Sequence, residues 1–191
     1  MKYPIVEVFD SIQGEGLYTG APVNFVRLAG CNLSCAFCDT DKEAKEELTP
    51  KEILARLNPS IRIVVLTGGE PTTHSLTELI SALHKESYLI HLETNGTQPL
   101  PSGLDWTSVS PKPEEFPRPS SPLFNEAKWL IPAWAYEDIK WDLASLHFLQ
   151  PVNYEKTLNM GNVKRCVWLL KNKPRPNLRL SIQLHKVIGV R

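Results

Sequence analysis

The 191-residue sequence has no long hydrophobic run and no net charge. Its longest uninterrupted apolar stretches, 63–66 and 166–170, are far shorter than the roughly 20 residues that cross a bilayer, which excludes a membrane-spanning helix. Lys and Arg together number 21, as do Asp and Glu, and this balance argues against a generic nucleic-acid binder. Residues 1–4 lack the apolar run of a secretory signal, so we expect a cytoplasmic protein with no membrane partner.

Cysteine is scarce, and acidic residues are absent from the C-terminal end. Four cysteines in a chain of this length without an export signal do not predict a disulfide framework, and three of them, Cys31, Cys35 and Cys38, lie within eight residues. After Glu155 there is no Asp or Glu, whereas nine Lys and Arg follow. We interpret this stretch as a solvated basic helix face and loop, with a site for an anionic ligand as the alternative.

Alternating β-rich and amphipathic segments predict an α/β fold. Strands are expected at 4–10, 23–28, 61–67, 88–93, 106–108, 128–131, 147–150 and 178–184. A helix is expected from Thr49, the N-cap of a capping box that Glu52 completes, with Pro50 at the first helical position. Further helices are expected over 76–83, over 136–146, and over 153–171 with a break near Gly161. The proline-rich residues 99–122 predict an extended loop.

The order of these elements predicts the type of sheet. Nearly all-apolar strands that alternate with helices favour parallel strands covered by helices. Because a closed barrel of eight strand–helix units takes about 250 residues, we expect a partial, open barrel of the TIM type formed by a single domain, residues 1–191.

The cysteine-rich segment 31–38 has the pattern CxxxCxxC directly after a predicted strand. Three thiolates suit a [4Fe–4S] cluster in which one iron has no protein ligand and can bind a substrate or cofactor. A structural zinc site needs four closed ligands. The alternatives are inert thiols or a zinc site completed by Asp39, Asp41 or Cys166. We interpret Cys166, which lies in an apolar run, as a buried small hydrophobe.

This loop resembles the cluster loop of the radical S-adenosylmethionine (SAM) superfamily, with Phe37 as the aromatic residue before the last cysteine. Gly-Gly-Glu-Pro at 68–71 and Glu-Thr-Asn-Gly at 93–96 match further superfamily motifs, and both follow predicted strands. In a barrel of parallel strands, the active site lies at these carboxyl ends of the strands. The resemblance implies a [4Fe–4S] cluster and SAM as cofactors.

Further motifs resemble those of one family in that superfamily, the 7-carboxy-7-deazaguanine synthases of deazapurine (queuosine and related) biosynthesis. The matching motifs span nearly the whole chain and are found at 11–16, Gly20, Pro22, Arg27, 38–40, 110–112, 149–151 and 183–186. The sequence departs from the family pattern at Val152 and Asn153, which follow the Gln-Pro motif, and at its last residue, Arg191.

The resemblance implies a role for each matching position. The catalytic cluster ligands are Cys31, Cys35 and Cys38, and Thr40 is a Mg²⁺ ligand. The substrate-binding residues are Ile12, Gln13, Gly14, Arg27 and Thr67. The SAM-binding residues are Phe37, Cys38, Asp39, Gly69, Ser110, Pro111, Lys112, Gln150, Pro151, Val152 and Asn153. Supporting carboxylates are expected at Glu15 and Glu70.

The implied reaction is a radical ring contraction of 6-carboxy-5,6,7,8-tetrahydropterin to 7-carboxy-7-deazaguanine with loss of ammonia. The implied partners are this pterin, a second copy of the chain in a homodimer, and a flavodoxin- or ferredoxin-type electron donor, with no direct contact to nucleic acid. The basic C-terminal stretch is the expected docking site for an acidic donor. The alternatives are a radical SAM activase that forms a glycyl radical on a partner protein and a zinc-binding interaction module.

Overall fold

The structure, a computed structural model, describes residues 1–38, 40–113, 124–154 and 157–190. Its strands are β1 (Tyr3–Ile12), β2 (Pro22–Leu28), β3 (Glu46–Leu48), β4 (Ile63–Gly68), β5 (Leu89–Thr94), β6 (Trp106–Val109), β7 (Phe124–Ile131), β8 (Ala144–Pro151) and β9 (Leu178–Leu180). Its helices are α1 (Pro50–Leu54), α2 (Thr77–Lys85), α3 (Met160–Asn172) and α4 (Leu184–Ile188), with 3₁₀ turns at Pro71–Thr73 and Tyr136–Asp138. In the described part of the chain, no helix has the length and apolar character needed to cross a membrane.

Two compact units divide the chain. Unit 1 contains Met1–Ser11, Pro22–Thr94 and Gln98–Thr107. Unit 2 contains Ile12–Ala21, Asn95–Thr97 and the described residues from Ser108 onward.

In unit 1 the strand order is β3-β1-β2-β4-β5. β2, β4 and β5 run parallel, and β3 pairs antiparallel with β1. The core of this unit includes the central strand residues Leu28 and Leu66 and the α2 residues Leu79 and Leu83, all fully buried. The apolar spacing that predicts α2 therefore identifies its packed face correctly.

The predicted start of α1 is confirmed in detail. Thr49 accepts a hydrogen bond from the Glu52 backbone N–H, and the Glu52 carboxylate accepts one from the Thr49 N–H at 2.8 Å. Pro50 occupies the first turn, where its missing N–H costs nothing. This reciprocal cap offsets the weak stability expected of so short a helix.

In unit 2 the strand order is β6-β7-β8-β9, and the neighbouring strands are parallel. Alternation along β7 places Glu126 and Lys128 on one face and Trp129 on the other. Trp129 is fully buried, and its Nε1 donates to Nδ1 of the buried His147 at 3.0 Å. Trp134 packs edge-on against Trp129 with ring centroids 5.1 Å apart.

The predicted helix over 136–146 is wrong. The chain forms only the 3₁₀ turn Tyr136–Asp138 there, and β8 already begins at Ala144. The apolar spacing imitates a helix, but the residues from Ala144 onward pair with β7 in parallel register, and this pairing overrides local propensity. Trp141, in the middle of the predicted helix, packs its ring against His147 at 5.2 Å between centroids.

The predicted helix over 153–171 starts too early. α3 begins at Met160, because the Asn159 side chain caps it by accepting hydrogen bonds from the backbone N–H groups of Gly161 and Asn162. Gly161 therefore lies in the first turn of the helix and does not break it.

Other boundaries differ by shorter stretches. The strands predicted at 128–131 and 147–150 are parts of the longer β7 and β8. The strand predicted at 178–184 ends at Leu180, and its last predicted residue begins α4. Within the predicted loop 99–122, residues 114–122 lie outside the described residues.

Candidate active site

The cysteine loop 31–38 lies in unit 1, directly after β2. Cys31 and Cys35 are partly buried, Cys38 is exposed, and none of them forms a disulfide. Backbone contacts shape the loop: the Cys38 N–H donates to the Cys35 carbonyl at 3.1 Å. The base of the loop is fixed by Lys42, whose carbonyl accepts from the Gly30 N–H at 2.9 Å.

The donor chemistry of this loop fits a [4Fe–4S] cluster. Within the described ranges, no three His, Cys, Asp or Glu side chains are arranged as a finished metal site. The fit therefore rests on three thiols of one loop, none of them in a disulfide, and thiolates are the soft ligands that iron–sulfur clusters use. The fourth cysteine is not available as a ligand, because Cys166 is fully buried and burial raises the pKa of its thiol to about 12.

The Gly-Gly-Glu turn at the end of β4 packs directly against the base of the cysteine loop. Gly68 has a φ of +139°, and a Cβ there would lie 2.0 Å from the Leu28 carbonyl oxygen. A Cβ on Gly69 would lie 1.9 Å from the Gly30 carbonyl oxygen and 2.9 Å from Cys31 Cβ. Only glycine allows this approach, so the predicted cofactor residue Gly69 lies beside Cys31, the first of the three predicted cluster ligands.

Glu70, the next residue, has a supporting role. Its side chain is fully buried and accepts hydrogen bonds from the Thr72 backbone N–H at 3.1 Å and the Thr94 hydroxyl at 2.7 Å. Since Thr94 ends β5, the Glu70 carboxylate joins the carboxyl ends of two parallel strands. This contact fixes the turn that contains Gly69.

Two of the predicted substrate residues lie together in unit 1. Arg27 and Thr67 are register partners on the parallel strands β2 and β4, which places their side chains on the same face of the sheet. Arg27 Nε donates to a Glu7 carboxylate oxygen at 2.9 Å, and both side chains are about one quarter exposed, at 24% and 23%. A guanidinium held this way is suited to pair with a carboxylate.

The other predicted substrate residues lie in unit 2, at the last residue of β1 and in the turn that follows it. Gln13 is buried, and its side-chain oxygen accepts a hydrogen bond from the Glu15 N–H at 3.2 Å. The Gly14 carbonyl accepts from the Leu184 N–H at 2.9 Å, and a Cβ on Gly14 would lie 2.0 Å from His185 Nδ1. The glycine therefore allows the His185 ring to pack directly on this turn.

One predicted SAM-binding segment, 110–112, is fixed by a tryptophan. Trp134 Nε1 donates to the Pro111 carbonyl at 2.9 Å. Lys112 Nζ donates to the Ser110 carbonyl at 2.7 Å and to its hydroxyl at 2.8 Å. The segment is thus held in a defined conformation in unit 2.

The second predicted SAM-binding segment, 150–153, contains the last two residues of β8 and the two that follow, in the same unit. Val152 N–H donates to the Ile131 carbonyl at 2.8 Å, and Asn153 Oδ1 accepts from the Asn159 N–H at 2.9 Å. Gln150 is 4% exposed, and its Oε1 accepts no hydrogen bond from the described residues. A buried acceptor without a donor is costly, so this atom fits a ligand that carries hydroxyl or amino groups, as SAM does.

Three more of the predicted positions lie at the end of the cysteine loop or just after it. Phe37 is partly buried, and Asp39 lies outside the described residues. Thr40 is partly buried, and its carbonyl lies 3.9 Å from Cys38 Sγ.

Sequence reasoning missed some side chains that position the site, among them Glu7, Glu126, Trp134 and Ser181. The Ser181 hydroxyl accepts from the Gly16 N–H at 3.0 Å, and Glu126 accepts from the Leu17 N–H at 2.9 Å. One sequence signal could have found Glu126 and Lys128: these charged residues alternate along β7 with the apolar residues Ala127 and Trp129, which are buried.

Comparison with known proteins identifies the family. The model of the radical SAM superfamily matches residues 25–107. The chain is 38% identical to 7-carboxy-7-deazaguanine synthase of Bacteroides thetaiotaomicron, with both chains fully covered. It is 35% identical to that of Synechocystis, with 100% of this chain and 95% of the relative covered. The crystal structure of QueE from Escherichia coli superposes with a TM-score of 0.77 at 28% identity, covering 97% of this chain and 95% of that one.

These similarities confirm the predicted fold class, an α/β partial barrel of the radical SAM type, and the cofactors, a [4Fe–4S] cluster and SAM. They also confirm an enzyme of deazapurine biosynthesis and exclude a zinc-binding interaction module as the main function. The chain therefore belongs to the 7-carboxy-7-deazaguanine synthase family of radical SAM enzymes.

Proposed function

We propose that this enzyme converts 6-carboxy-5,6,7,8-tetrahydropterin to 7-carboxy-7-deazaguanine with release of ammonia, through the single radical SAM domain of residues 1–191. The observation that carries the proposal is the position of Arg27, which is the register partner of Thr67 and is oriented by Glu7. When bound, the [4Fe–4S] cluster and SAM supply the reducing electron and the radical that start the chemistry.

The residues of the chain bind and orient the two ligands. The Arg27 guanidinium pairs with the pterin carboxylate, with the Thr67 hydroxyl beside it. The backbone of Ile12 and Gly14 and the Gln13 side chain bind the polar edge of the pterin. Gly69 and the segments 110–112 and 150–153 bind SAM, with Phe37, Cys38 and Asp39. Orientation of the reacting atoms is the main contribution of the protein to such a reaction.

Mg²⁺ is a separate part of the proposal. Thr40 follows the last cluster cysteine by two residues and is the proposed protein ligand. A hard cation with one hydroxyl ligand keeps water and substrate oxygens as its other ligands. We expect turnover without Mg²⁺ to fall for the parent enzyme, and Thr40→Val to reduce the response to added Mg²⁺ while leaving iron content unchanged.

An acidic flavodoxin- or ferredoxin-type donor is the proposed source of electrons, and its proposed docking site is the exposed face of α3. Lys164, Arg165 and Lys171 are exposed there and form no ion pair within the described part of the chain. In contrast, Lys173 pairs with Glu137 and lies over the Tyr136 ring, so the charge of this basic residue is already partnered.

Charge reversal tests this docking site. Lys164→Glu with Lys171→Glu should raise the KM for a flavodoxin donor several-fold at low salt, and leave turnover driven by dithionite unchanged. An unchanged KM at low ionic strength would remove α3 as the docking surface.

A homodimer is also proposed, formed through the apolar residues of α4. Val187 and Ile188 are exposed at 52% and 51% in a short helix that has no buried residue. Exposed apolar side chains grouped in this way are typical of an interface. Ile188→Asp should convert a dimer to a monomer in analytical ultracentrifugation, whereas Val167→Asp on α3 should not. A cytoplasmic location and the absence of nucleic-acid contact stay predictions.

The reaction is tested by an anaerobic assay of reconstituted enzyme with reductant, SAM, Mg²⁺ and 6-carboxytetrahydropterin, in which the product and 5′-deoxyadenosine are followed by mass. Product should form with the parent chain and not with Cys35→Ala. Arg27→Ala should keep its iron content and SAM binding but lose substrate binding. Formation of 5′-deoxyadenosine without product in the parent enzyme would mean that the substrate is a different molecule.

A further inference from the structure

A buried ion pair in unit 2 has no role in the chemistry described above. Lys128 Nζ lies 2.7 Å from a Glu15 carboxylate oxygen, and the two side chains are only 4% and 17% exposed. Burial of both charges costs desolvation that the attraction between them offsets only in part, and a buried pair is therefore weak evidence for a stabilising role. The contacts of Glu15 indicate a different role for the pair.

Glu15 connects Lys128 to a chain of side-chain hydrogen bonds. Its second carboxylate oxygen accepts from Gln183 Nε2 at 2.8 Å. The Gln183 side-chain oxygen accepts from Asn153 Nδ2 at 3.0 Å. Burial alone would raise the pKa of Glu15, but the Lys128 charge and the hydrogen bonds from Lys128, Gln183 and Gln150 lower the pKa to about 2. The carboxylate is therefore charged at neutral pH and holds all three donors.

The two ends of this network are the two ligand-binding segments of unit 2. Glu15 directly follows the substrate turn 12–14, and its backbone N–H donates to the Gln13 side chain. Gln150 and Asn153 belong to the SAM-binding segment. Glu15 therefore connects the two segments: its backbone N–H bonds the Gln13 side chain, and its carboxylate accepts from the Gln150 side chain. Lys128 supplies the counter-charge from strand β7.

We propose that Lys128 is a positioning residue that holds the substrate turn and the SAM-binding segment in register through Glu15. This inference rests on the proposed function, because it takes the ligands of the two segments from there. Without the ammonium, the buried carboxylate needs another hydrogen-bond donor and must shift to reach one. This shift either breaks its hydrogen bonds with Gln183 and Gln150 or displaces these two side chains. Both segments then lose their fixed geometry, although Lys128 contacts neither ligand.

The test uses the reconstituted enzyme under anaerobic conditions and measures binding rather than turnover. SAM binding is measured by equilibrium dialysis, and pterin binding by the fluorescence of 6-carboxypterin, an oxidised and unreactive probe. Lys128→Met should weaken both affinities about tenfold while iron content stays at the parent level. Arg56→Met, which breaks the exposed pair with Glu46, is the control and should change neither affinity.

A double variant separates positioning from simple stability. In Lys128→Met with Glu15→Gln no buried charge is left unpaired, so the melting temperature should recover toward the parent value. The affinities for SAM and 6-carboxypterin should stay low, because the neutral amide cannot accept from all the donors that the carboxylate held. Recovery of both affinities together with the melting temperature would overturn the proposal.

A second single variant keeps the test decisive if Lys128→Met does not fold. Gln183→Leu leaves the Lys128–Glu15 pair intact and removes the Gln183 hydrogen bonds to Glu15 and Asn153. SAM affinity should then fall several-fold, and 6-carboxypterin affinity should change less than twofold. Folded variants with unchanged SAM affinity would overturn the inference alone. A parent enzyme that binds SAM but not 6-carboxypterin would overturn the proposed function as well as the inference.

Discussion

Glu7 accepts a hydrogen bond from Arg27 Nε at 2.9 Å, and Arg27 is also the register partner of Thr67 on the adjacent strand. β1 and β2 thus contribute the two charged partners, and β4 contributes the hydroxyl beside them. The guanidinium is restrained by an ion pair before any ligand binds. Such preorganisation lowers the entropy cost of ordering the Arg27 side chain when substrate binds.

Glu7→Gln should therefore weaken substrate binding without removing it. The amide still accepts a hydrogen bond but no longer attracts the guanidinium as a charge, and the pair is partly exposed, so we expect a KM increase of about 3- to 10-fold for the pterin. Steady-state kinetics at saturating SAM give this value. Arg27→Ala is the matched comparison and should cost much more in kcat/KM. A lower KM in Glu7→Gln would instead mean that Glu7 competes with the substrate carboxylate.

Replacement of Gly69 should disable the turn beside the cluster loop. Gly69→Ala places a Cβ 1.9 Å from a backbone oxygen, which cannot rotate away, so either β4 or the cysteine loop must shift. We expect a loss of stability on the order of 2–4 kcal/mol and reduced iron content after reconstitution. Urea denaturation and iron analysis measure the two effects.

Gly20→Ala is the control for backbone strain alone. Gly20 has a positive φ of +91°, unlike Gly69, but no atom lies within 4 Å of the added Cβ. Its cost should be limited to about 1 kcal/mol from the left-handed conformation, with full iron content. If Gly69→Ala behaved like Gly20→Ala, the close packing of the turn on the cysteine loop would not matter for cluster binding.

Local patterns in the sequence predicted most elements of the fold. The spacing of Leu76, Leu79, Ile80 and Leu83 identifies the buried face of α2, since one helix face repeats at these intervals. The capping box at Thr49 is likewise a local signal. The cysteine and glycine motifs gave the family and cofactors, because these chemistries need fixed residue types at fixed spacing.

Long-range pairing could not be predicted in this way. The partners Lys128 and Glu15 are 113 positions apart, and no local pattern connects them. The segment 136–146 has the apolar content of a helix, yet its last residues extend β8 because β7 offers a paired strand edge. Residues such as Glu7 act through a neighbouring strand, and their roles depend on the register of the sheet.

The buried His91 should make stability depend on pH. Burial lowers the pKa of His91 to about 4, although nearby Asp105 acts in the opposite direction. In the unfolded chain the imidazole titrates near its ordinary value of about 6.5, so only the unfolded state gains a proton between these values. The stability that is present above about pH 6.5 is therefore lost as the pH falls toward 4.

Urea denaturation of cluster-free protein at pH 7.5 and pH 5.5 measures this effect. We expect the His91 contribution to lower the free energy of unfolding by about 1 kcal/mol at the lower pH. His91→Gln should remove that part of the pH dependence, whereas His84→Gln, at an exposed position, should retain it. An equal slope for parent and His91→Gln would show that other groups account for the acid sensitivity.

Cys166 should be chemically silent in the folded protein. Its thiol is fully buried with a pKa of about 12, so almost no thiolate forms at pH 8. Iodoacetamide at that pH should label Cys31, Cys35 and Cys38 of the cluster-free protein and should reach Cys166 only in urea, as mass spectrometry of peptides would show.

The variant Cys166→Ala extends the same argument to the cluster. The substitution leaves a small cavity and should cost about 1 kcal/mol in stability, since it removes one buried sulfur atom. Iron content after reconstitution should equal that of the parent if the three cysteines of the loop are the protein ligands, as proposed. Cys35→Ala, in contrast, should hold little iron. Loss of iron in Cys166→Ala at normal stability would mean that the buried cysteine takes part in cluster binding, and that the cysteine loop must be regarded as only part of the ligand set.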